Sequence, residues 1–356
     1  MRILHIASHS INMGDGAIHA GMNRALRDVL GNYEIILLDH VAHDMAGKEI
    51  TFDLIKSINP DHIIIGGGGA IDCHERLNGT AVPISLRTFE RLNIPVTFLA
   101  LGHNMLYGQE MKPLSAEGLQ NLINICEKKG WGFSVRNDGS LIRLSQQLDA
   151  HYVQKVCDPG FFIEADENFR PLIDGKYVLI QATFDYHLEK FGRIEEAKLF
   201  ASNIARYIRW LNANGYCTIL ATHTLYDITS AHNIIVSSDE KIRFGNYVTG
   251  FLSPLFAPQF FNYYKQAKLV VGMRGHSVIC GAGLGTPTIG INNQYKIGGF
   301  MKNVGLEQFC VQPNDIERLQ MLTAMLLNKE IEYPDLTEVR QNLYNELCDF
   351  LANEFR

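Results

Sequence analysis

The chain has 356 residues, a length that suits two domains with a hydrophobic core in each. Its composition is that of an ordinary globular protein, with 46% hydrophobic residues, 20% charged residues and a mean hydropathy of −0.03. A formal net charge of −6 and a pI near 6.1 exclude a global positive field that would hold nucleic acid or an anionic membrane surface, so an anionic ligand would need local arginines.

Short apolar strands alternate with amphipathic helices in the first half of the chain, a pattern typical of parallel sheets covered on both faces. The predicted strands are residues 3–7, 33–38, 62–65, 95–101, 131–135 and 152–157, and the predicted helices are 17–30, 52–58, 84–92, 116–129 and 140–148. Pro159, Gly160, Pro171 and Gly175 then interrupt the alternation, which indicates a linker.

The second half repeats the same alternation. Its predicted strands are residues 177–182, 217–221, 269–272 and 287–291, and its predicted helices are 193–214, 258–267, a small-residue helix after Arg274, 315–327 and 336–355. We therefore predict an α/β fold of two Rossmann-like domains with parallel sheets that face a cleft. The first domain is expected at 1–165, the linker at 166–176 and the second domain at 177–330, with the helix in 331–356 crossing back to the first domain.

Arg274 and His276 follow an apolar strand in the most informative stretch of the chain, residues 269–295. In open α/β sheets ligands bind outside the carboxyl ends of the strands, and a helix N-terminus at that position offers free N–H groups to an anion. Gly275 gives a ligand close access to the backbone. The two side chains either bind an anion or, as the alternative, cap a loop and pack on the start of the helix.

Two glycine-containing loops follow predicted strands of the first half. Asn12, Gly14 and Asp15 come after the first strand, where the Asp15 carboxylate could accept a hydrogen bond from a sugar hydroxyl or cap the next helix. Gly67 and Gly68 belong to a four-glycine tract after residues 62–65. This tract could take positive φ and turn N–H groups toward an anion or a sugar, or form a tight turn below a helix. Neither loop matches a dinucleotide fingerprint or a nucleotide P-loop.

Arg136 ends another predicted strand, and Asp138 and Ser140 start the helix that follows. A structural salt bridge between Arg136 and Asp138 is one interpretation. The other is that Arg136 and Arg274 hold one small dianion from opposite sides of a cleft, with each charge-assisted hydrogen bond contributing about 1.5 to 3 kcal/mol.

His223 ends a strand of the second half, and Asp227 follows one helical turn later. The histidine is either a general acid or base held by that carboxylate or a polar loop residue.

The 13 histidines show no metal-ligand spacing, so we predict no metal site. His103 is expected on the surface or in a loop. Seven dispersed cysteines indicate reduced thiols, and the lack of a signal sequence or an apolar span leads us to expect a cytoplasmic protein.

Four ordered motifs together resemble the polysaccharide pyruvyl transferase family over roughly residues 1–300. They are Asn12-x-Gly14-Asp15, the stretch from Asp61 to Gly68, Ser134-Val135-Arg136-x-Asp138-x-Ser140, and Val271-Gly272-Met273-Arg274-x-His276 with Pro287 and Tyr295-Lys296. The chain departs from the family pattern at Gly275, at an inserted Asn137 and at Gly102-His103-Asn104.

The resemblance implies a glycosyltransferase-B-like pair of Rossmann domains. It also implies transfer of a pyruvyl group from phosphoenolpyruvate to two sugar hydroxyls as a cyclic ketal, with the first domain on the acceptor side and no other cofactor. The implied catalytic residues are His276, His223 and Asp15, and the implied substrate-binding residues are Arg136, Arg274, Asn12, Gly14, Gly67, Gly68, Ser140 and Lys296.

The expected partners are phosphoenolpyruvate and a sugar acceptor that is carried on a lipid or a nucleotide. We expect no nucleic acid and no membrane span, and the sequence is compatible with peripheral membrane association and with a homo-oligomer. Two rival functions stay open at this point. One is a nucleotide-sugar-dependent glycosyltransferase of the same fold, and the other is a noncatalytic protein that binds a sugar or an anion.

Overall fold

The protein has an α/β fold with two six-stranded sheets in which every described strand pair is parallel. The structure is a computed structural model, and it describes residues 1–9, 12–106, 108–169, 176–184, 190–237, 244–249 and 254–356. The parallel sheets and the alternation of strands with helices confirm the predicted fold class.

The first sheet has the strand order β2-β1-β3-β4-β5-β6. Its strands are β1 (Arg2–Ala7), β2 (Glu34–Asp39), β3 (His62–Ile71), β4 (Val96–His103), β5 (Phe133–Arg136) and β6 (Gln154–Val156). The helices of this part of the chain are α1 (Met13–Leu30), α2 (His40–Met45), α3 (Phe52–Ile58), α4 (Leu86–Arg91), α5 (Pro113–Lys129) and α6 (Ser140–Leu144).

The second sheet has the strand order β12-β11-β10-β7-β8-β9. Its strands are β7 (Tyr177–Gln181), β8 (Cys217–Thr222), β9 (Phe244–Thr249), β10 (Leu269–Gly272), β11 (Thr288–Ile291) and β12 (Cys310–Val311). The accompanying helices are α7 (Ile194–Ala213), α8 (Leu225–Val236), α9 (Ala257–Gln266), α10 (Gly275–Gly283), α11 (Tyr295–Asn303), α12 (Ile316–Leu327) and α13 (Thr337–Glu354).

The central strands are buried along almost their whole length, which explains why they are rich in apolar residues. Ile63, Ile64 and Ile65 of β3 and Val270 and Val271 of β10 are at most 1% exposed. A strand that helices cover on both faces has no solvent side, so it carries β-branched apolar residues in a continuous run instead of alternating them with polar ones.

The chain divides into two compact units. The first comprises Met1–Ser10, Gly21–Pro159 and Gln341–Arg356, and the second comprises Ile11–Ala20 and Gly160–Arg340. The second unit therefore begins at Gly160, before the linker that we placed at 166–176, and of that linker residues 170–175 lie outside the described residues. It also includes Ile11–Ala20, a range in which helix α1 begins at Met13 and which the sequence placed in the first domain.

Two predicted boundaries at strand ends are wrong. Helix α1 begins at Met13 and not at residue 17, so Gly14 and Asp15 are helical. Strand β3 runs through the glycine tract to Ile71 instead of ending at residue 65. Gly66, Gly67 and Gly68 have φ of 130°, 70° and 135°, so the tract does take positive φ, but it forms an irregular strand end and no tight turn. A strand can continue here because glycine has no Cβ to clash in this conformation.

Several elements were not predicted, and helix α8 is the most important of them. The others are α2, α11, β9 and β12. The signal for α8 was Thr224 followed three residues later by Asp227, the spacing of a capping box.

His103, which we expected on the surface or in a loop, ends strand β4 and is 4% exposed. None of the seven cysteines, all of which are described, is in a disulfide bond, and within the described residues no helix is long and apolar enough to cross a bilayer.

Candidate active site

The order of strands in the second sheet reverses between β7 and β10, because β8 and β9 lie beyond β7 and β11 and β12 lie beyond β10. The loops after two such strands leave the sheet in opposite directions, and ligands bind in the crevice that this creates. Gln181 ends β7 and Arg274 follows β10. The Gln181 Oε1 accepts a hydrogen bond of 2.7 Å from the backbone N–H of Arg274, which ties the two strand ends together.

The Arg274 guanidinium is held in one orientation by a buried carboxylate. Its Nε donates to Asp227 Oδ1 and Oδ2 at 2.9 and 3.0 Å, and its Nη2 donates to Asp227 Oδ1 at 2.7 Å. The same Nη2 contacts the hydroxyls of Thr183 and Thr224 at 3.2 and 3.1 Å. The Asp227 side chain is 0% exposed and the Arg274 side chain is 18% exposed, so the cation is fixed from below and reaches the surface.

Asp227 receives several further hydrogen bonds. Its Oδ2 accepts from the backbone N–H of His223 at 2.7 Å, from Gln181 Nε2 at 3.2 Å and from the backbone N–H of Thr224 at 3.3 Å. These donors stabilise a carboxylate that burial would otherwise destabilise. Of the two interpretations of His223, the pairing of its imidazole with Asp227 is wrong, because the carboxylate takes the backbone N–H of His223 and the guanidinium of Arg274.

The imidazole of His223 is fully buried among aromatic side chains. Its Nε2 lies 2.5 Å from Tyr264 Oη, and Tyr264 Oη lies 3.2 Å from Ser277 Oγ. The rings of Phe260 and Phe261 pack edge-on against it. Desolvation by burial, together with the neighbouring charges of Arg274 and His276, holds the pKa of His223 well below its usual value. His223 is therefore neutral near pH 7, and its direct role in proton transfer stays a prediction.

His276 is the second residue of helix α10 and packs against the first turn of helix α1. A Cβ added at Gly14 would lie 2.8 Å from His276 Cγ and 2.9 Å from His276 Cβ, and closer still to Nδ1. Real Cβ atoms do not approach other atoms so closely, so the imidazole can occupy this position only beside a glycine. The backbone N–H of Met13 donates to the His223 carbonyl at 3.0 Å, which fixes the same turn on the loop after β8.

Asn12, and not Asp15, caps helix α1. The Asn12 Oδ1 accepts a hydrogen bond of 3.0 Å from the backbone N–H of Gly14, the usual contact of an N-cap residue. Asp15 lies in the first helical turn, is 7% exposed and donates its own backbone N–H to the Asn12 carbonyl. The alternative in which Asp15 is the cap is wrong. Its negative charge near the helix N-terminus is nevertheless favourable.

Lys296 lies over Gly275, the residue between Arg274 and His276. A Cβ added at Gly275 would lie 3.4 Å from Lys296 Cε and 3.6 Å from its Cδ, which is ordinary van der Waals contact. In the described structure no side chain caps the start of α10 or of α11, the helix that carries Lys296. Two helix N-termini, an arginine, a histidine and a lysine therefore belong to one sheet edge, an arrangement that suits an anion.

Arg136 has a different environment in the first unit. Its Nη1 donates to Asp158 Oδ2 at 2.9 Å, and its Nε lies 3.3 Å from Asp138 Oδ2. The whole residue is only 2% exposed. The salt bridge to Asp138 that the sequence left open is therefore present, and the predicted role of Arg136 in substrate binding stays a prediction.

Ser140 and Gly102 complete the surroundings of Arg136. The Ser140 Oγ accepts from the backbone N–H of His103 at 2.9 Å and donates to Asp138 Oδ1 at 2.5 Å, so Ser140 links strand β4 to the start of helix α6. A Cβ added at Gly102 would lie 2.5 Å from Arg136 Nε and closer still to Nη2. Gly102 is thus required for the position of the guanidinium.

The predicted site residues fall into two groups. Asn12, Gly14, Asp15, His223, Arg274, His276 and Lys296 belong to the second unit, whereas Gly67, Gly68, Arg136 and Ser140 belong to the first. Sequence reasoning missed the polar residues that orient Arg274, namely Gln181, Thr183 and Thr224. Their only signal was their position at the carboxyl ends of strands and at the start of a helix.

A model of the family "Polysaccharide pyruvyl transferase" matches residues 12–295, which include every residue of this site except Lys296. The chain belongs to the polysaccharide pyruvyl transferase family. This is a family of transferases that act in polysaccharide biosynthesis, as the four motifs predicted. None of the curated proteins matches the chain.

Solved structures of glycosyltransferase-B-like proteins match the fold over almost the whole chain. One is the structure of S. aureus MnaA with UDP, which has a TM-score of 0.55 and 12% sequence identity and aligns with 99% of this chain and 94% of its own. Another is UDP-GlcNAc 2-epimerase from Methanocaldococcus jannaschii, with a TM-score of 0.54, 14% identity and coverage of 94% and 95%. At such identities the likeness shows the fold alone, and it confirms the predicted glycosyltransferase-B-like class.

Proposed function

We propose that this protein transfers a pyruvyl group from phosphoenolpyruvate to two hydroxyls of a sugar in a glycan or glycan precursor, which forms a cyclic ketal and releases phosphate. The observation that carries the proposal is the fixed Arg274 guanidinium, which is held by buried Asp227 at the uncapped start of helix α10 beside His276. Family membership supports the same reaction.

Phosphoenolpyruvate is a small anion with one carboxylate and one phosphate. Arg274 and Lys296 supply positive charge, and the N-terminus of α10 supplies backbone N–H groups, so the sheet edge offers donors for both anionic groups. Because Asp227 occupies the Nε and Nη2 edge of Arg274, it orients the cation and limits the directions from which an anion can approach. Fixed donors of this kind stabilise developing charge without reorganisation.

The reaction needs two coupled steps at C2 of phosphoenolpyruvate. Protonation at C3 generates oxocarbenium character at C2, and a sugar hydroxyl adds there as it loses its proton. The C2–O bond to phosphate then breaks, the phosphate leaves with the bonding electron pair, and the second hydroxyl closes the ketal as it loses its proton. The two hydroxyl protons balance the one added at C3 and the one carried by the released phosphate.

His276 is the residue we assign to proton transfer. It is partly exposed, it follows Arg274 by two residues, and its position is fixed by the first turn of α1. We assign His223, which is buried and bonded to Tyr264, to positioning of the first turn of helix α8, which carries Asp227. Asp15, in the helical turn next to Gly14, is the candidate acceptor of a hydroxyl proton.

The proposal is tested with the purified full chain, phosphoenolpyruvate and a panel of glycosides, lipid-linked sugars and nucleotide sugars. We expect phosphate release that depends on one acceptor, together with the mass increase of one pyruvyl ketal on that acceptor. If no acceptor gives phosphate release and phosphoenolpyruvate does not bind, the proposal is refuted.

The His276→Ala variant separates catalysis from binding. We expect phosphate release to fall by about 10²- to 10⁴-fold, while the Kd for phosphoenolpyruvate changes by only a few-fold. The matched control is His232→Ala, an exposed histidine on helix α8 of the same unit. Equal rates in the two variants would remove His276 from the mechanism.

A nucleotide-sugar-dependent transferase is the rival that this experiment also addresses. The matched MnaA structure was solved with UDP, although the likeness to it concerns the fold alone. A ligand that binds the folded chain raises its Tm. We expect phosphoenolpyruvate to raise the Tm more than UDP or GDP, and the opposite order would favour the rival.

A further inference from the structure

Asn293 lies in the loop between β11 and α11 and is only 1% exposed. Its side-chain Nδ2 and Oδ1 are both buried, and neither atom has a hydrogen-bond partner among the residues that the structure describes. A buried carboxamide without partners costs free energy, and buried polar side chains of native proteins are almost always hydrogen-bonded. The Asn293 carboxamide therefore requires a partner that the described residues do not supply.

The rest of this loop is committed to the fold. The Asn292 Oδ1 accepts a hydrogen bond of 3.2 Å from the backbone N–H of Gly298 in helix α11, and the Asn292 N–H donates to the Val311 carbonyl at 2.7 Å. The backbone N–H of Asn293 donates to the Ile291 carbonyl at 2.9 Å. The backbone thus holds Asn293 in place, whereas its side chain neither caps the helix nor joins two strands.

The position of Asn293 places it on the sheet edge of the candidate active site. Strands β10 and β11 pair in parallel, and Arg274 follows the first strand while Asn293 follows the second. Paired strands lie about 4.8 Å apart, so the two loops leave the sheet side by side. Lys296, three residues after Asn293, lies over Gly275 at the start of α10. The carboxamide therefore belongs to the same sheet edge as Arg274, Gly275 and Lys296.

The chemistry of the side chain selects its partner, because a carboxamide presents an N–H donor and a carbonyl acceptor side by side. A carboxylate or a fully ionised phosphate offers only acceptors, so it would satisfy Nδ2 and leave Oδ1 unpaired. A phosphate that carries one proton has an O–H donor and anionic oxygens on the same group. In the proposed reaction the phosphate leaves in this form, with one of the two hydroxyl protons. The leaving phosphate therefore matches the Asn293 carboxamide, and the carboxylate of phosphoenolpyruvate does not.

We propose that Asn293 binds the phosphate that leaves in the reaction, with Nδ2 donating to an anionic oxygen and Oδ1 accepting the P–O–H proton. This inference rests on the proposed function, because it assigns a residue to the leaving group of that reaction. When the C2–O bond breaks, its electron pair goes to the phosphate oxygen, and the proton held at Oδ1 keeps the leaving group as monohydrogen phosphate. Lys296, in the first turn of α11, supplies positive charge beside it.

The test compares inorganic phosphate with sulfate on the full chain, because sulfate has a similar size and shape but carries no proton near pH 7. Titration calorimetry gives both Kd values, and we expect the unmodified protein to bind phosphate about 10-fold more tightly than sulfate. In Asn293→Leu, which keeps the size of the side chain without its polar atoms, phosphate binding should weaken by about 10- to 100-fold and the preference should disappear. Asn233→Leu, at an exposed asparagine of α8, is the matched control and should keep both Kd values.

Thermal unfolding without either anion separates a binding role from a structural one. Replacing a buried, unpaired amide by an apolar side chain of similar size is neutral or stabilising. We therefore expect the Tm of Asn293→Leu to equal or exceed that of the unmodified protein. A lower Tm with unchanged phosphate affinity would show that Asn293 bonds to ordered water inside the fold, and it would overturn the inference.

Further outcomes separate this inference from the proposed function. Equal affinity of the unmodified protein for the two anions would overturn the inference without any variant, and so would the absence of phosphate binding. Ketal formation from phosphoenolpyruvate, with normal phosphate binding in Asn293→Leu, would refute the inference and leave the proposed function standing. Phosphate binding that depends on Asn293, without ketal formation on any acceptor, would refute the proposed function and leave Asn293 as a phosphate ligand.

Discussion

Arg136 and Arg274 each lie at the carboxyl end of a parallel strand, Arg136 in the first sheet and Arg274 in the second. Arg136 is 2% exposed and lies between the carboxylates of Asp138 and Asp158. The Arg274 side chain is 18% exposed and contacts the carboxylate of Asp227 and the hydroxyls of Thr183 and Thr224. The comparison shows that an arginine at a strand end is not by itself a ligand site, since its exposure to solvent decides whether a ligand can reach the cation.

The largest effect is expected from Arg136→Leu. Removing the cation leaves two buried carboxylates without their main counter-charge, so we expect the free energy of unfolding to fall by about 3 to 5 kcal/mol. Urea unfolding measures this loss. Arg87→Leu, at an exposed arginine of helix α4, is the control and should change stability by about 0.5 kcal/mol or less. Similar stability of the two variants would show that the Arg136 cluster is not structural.

Arg274→Leu should have a smaller effect on stability and a direct one on ligand binding. Asp227 keeps the N–H donors of His223, Thr224 and Gln181, so we expect a loss of about 1 to 3 kcal/mol. Titration calorimetry should show phosphoenolpyruvate affinity reduced by about 10- to 100-fold. Arg136→Lys is the matched control for binding, and an equal loss of affinity there would remove the contrast and support the predicted role of Arg136 in binding.

Gly14→Ala tests how the candidate site of the second unit is assembled. Its Cβ would collide only with the His276 side chain among its three nearest atoms, so we expect a loss of about 1 to 3 kcal/mol in unfolding free energy together with reduced phosphate release. In a His276→Ala background the same substitution should cost less, because the ring atoms are gone and only the close contact with the Cβ of residue 276 remains. A double-mutant cycle measures this coupling, and strictly additive effects would contradict the contact.

The smallest effect concerns His103, which ends β4 close to the Arg136 cluster. Burial first, and then the charge of Arg143, lower the pKa of His103 to about 4. Since the unfolded chain binds a proton near pH 6.5 and the folded chain does not, this histidine costs no stability above pH 6.5 and destabilises the fold as the pH falls toward 4. We expect His103→Gln to reduce the loss of stability between pH 7.5 and 5.5 by about 1 kcal/mol, measured by urea unfolding at both pH values. An unchanged pH dependence would show that His103 is solvated.

Much of the fold could be predicted because helices and strands depend on local periodicity. Short runs of β-branched residues bounded by turn residues, such as Ile63–Ile64–Ile65 before the glycine tract, favour strands, and the polar residues that follow such runs mark the carboxyl edge of a sheet. Helix α8 was missed because its apolar residues are spread around the helix, although Thr224 and Asp227 carried a capping signal. The end of strand β3 was predicted wrongly at residue 65, because the positive φ that glycines allow is compatible with a turn and with an irregular strand end alike.

The sequence by itself determined the α/β class, the strand-end positions of Arg136, Arg274, His223 and His276, and the family to which they belong. Only the tertiary structure decided their partners: Asp227 orients Arg274, Tyr264 binds His223, and Gly14 makes room for His276. The physical reason is that secondary structure follows from contacts a few residues apart, whereas these pairs form between strand ends and helix starts that the order of the sheet brings together.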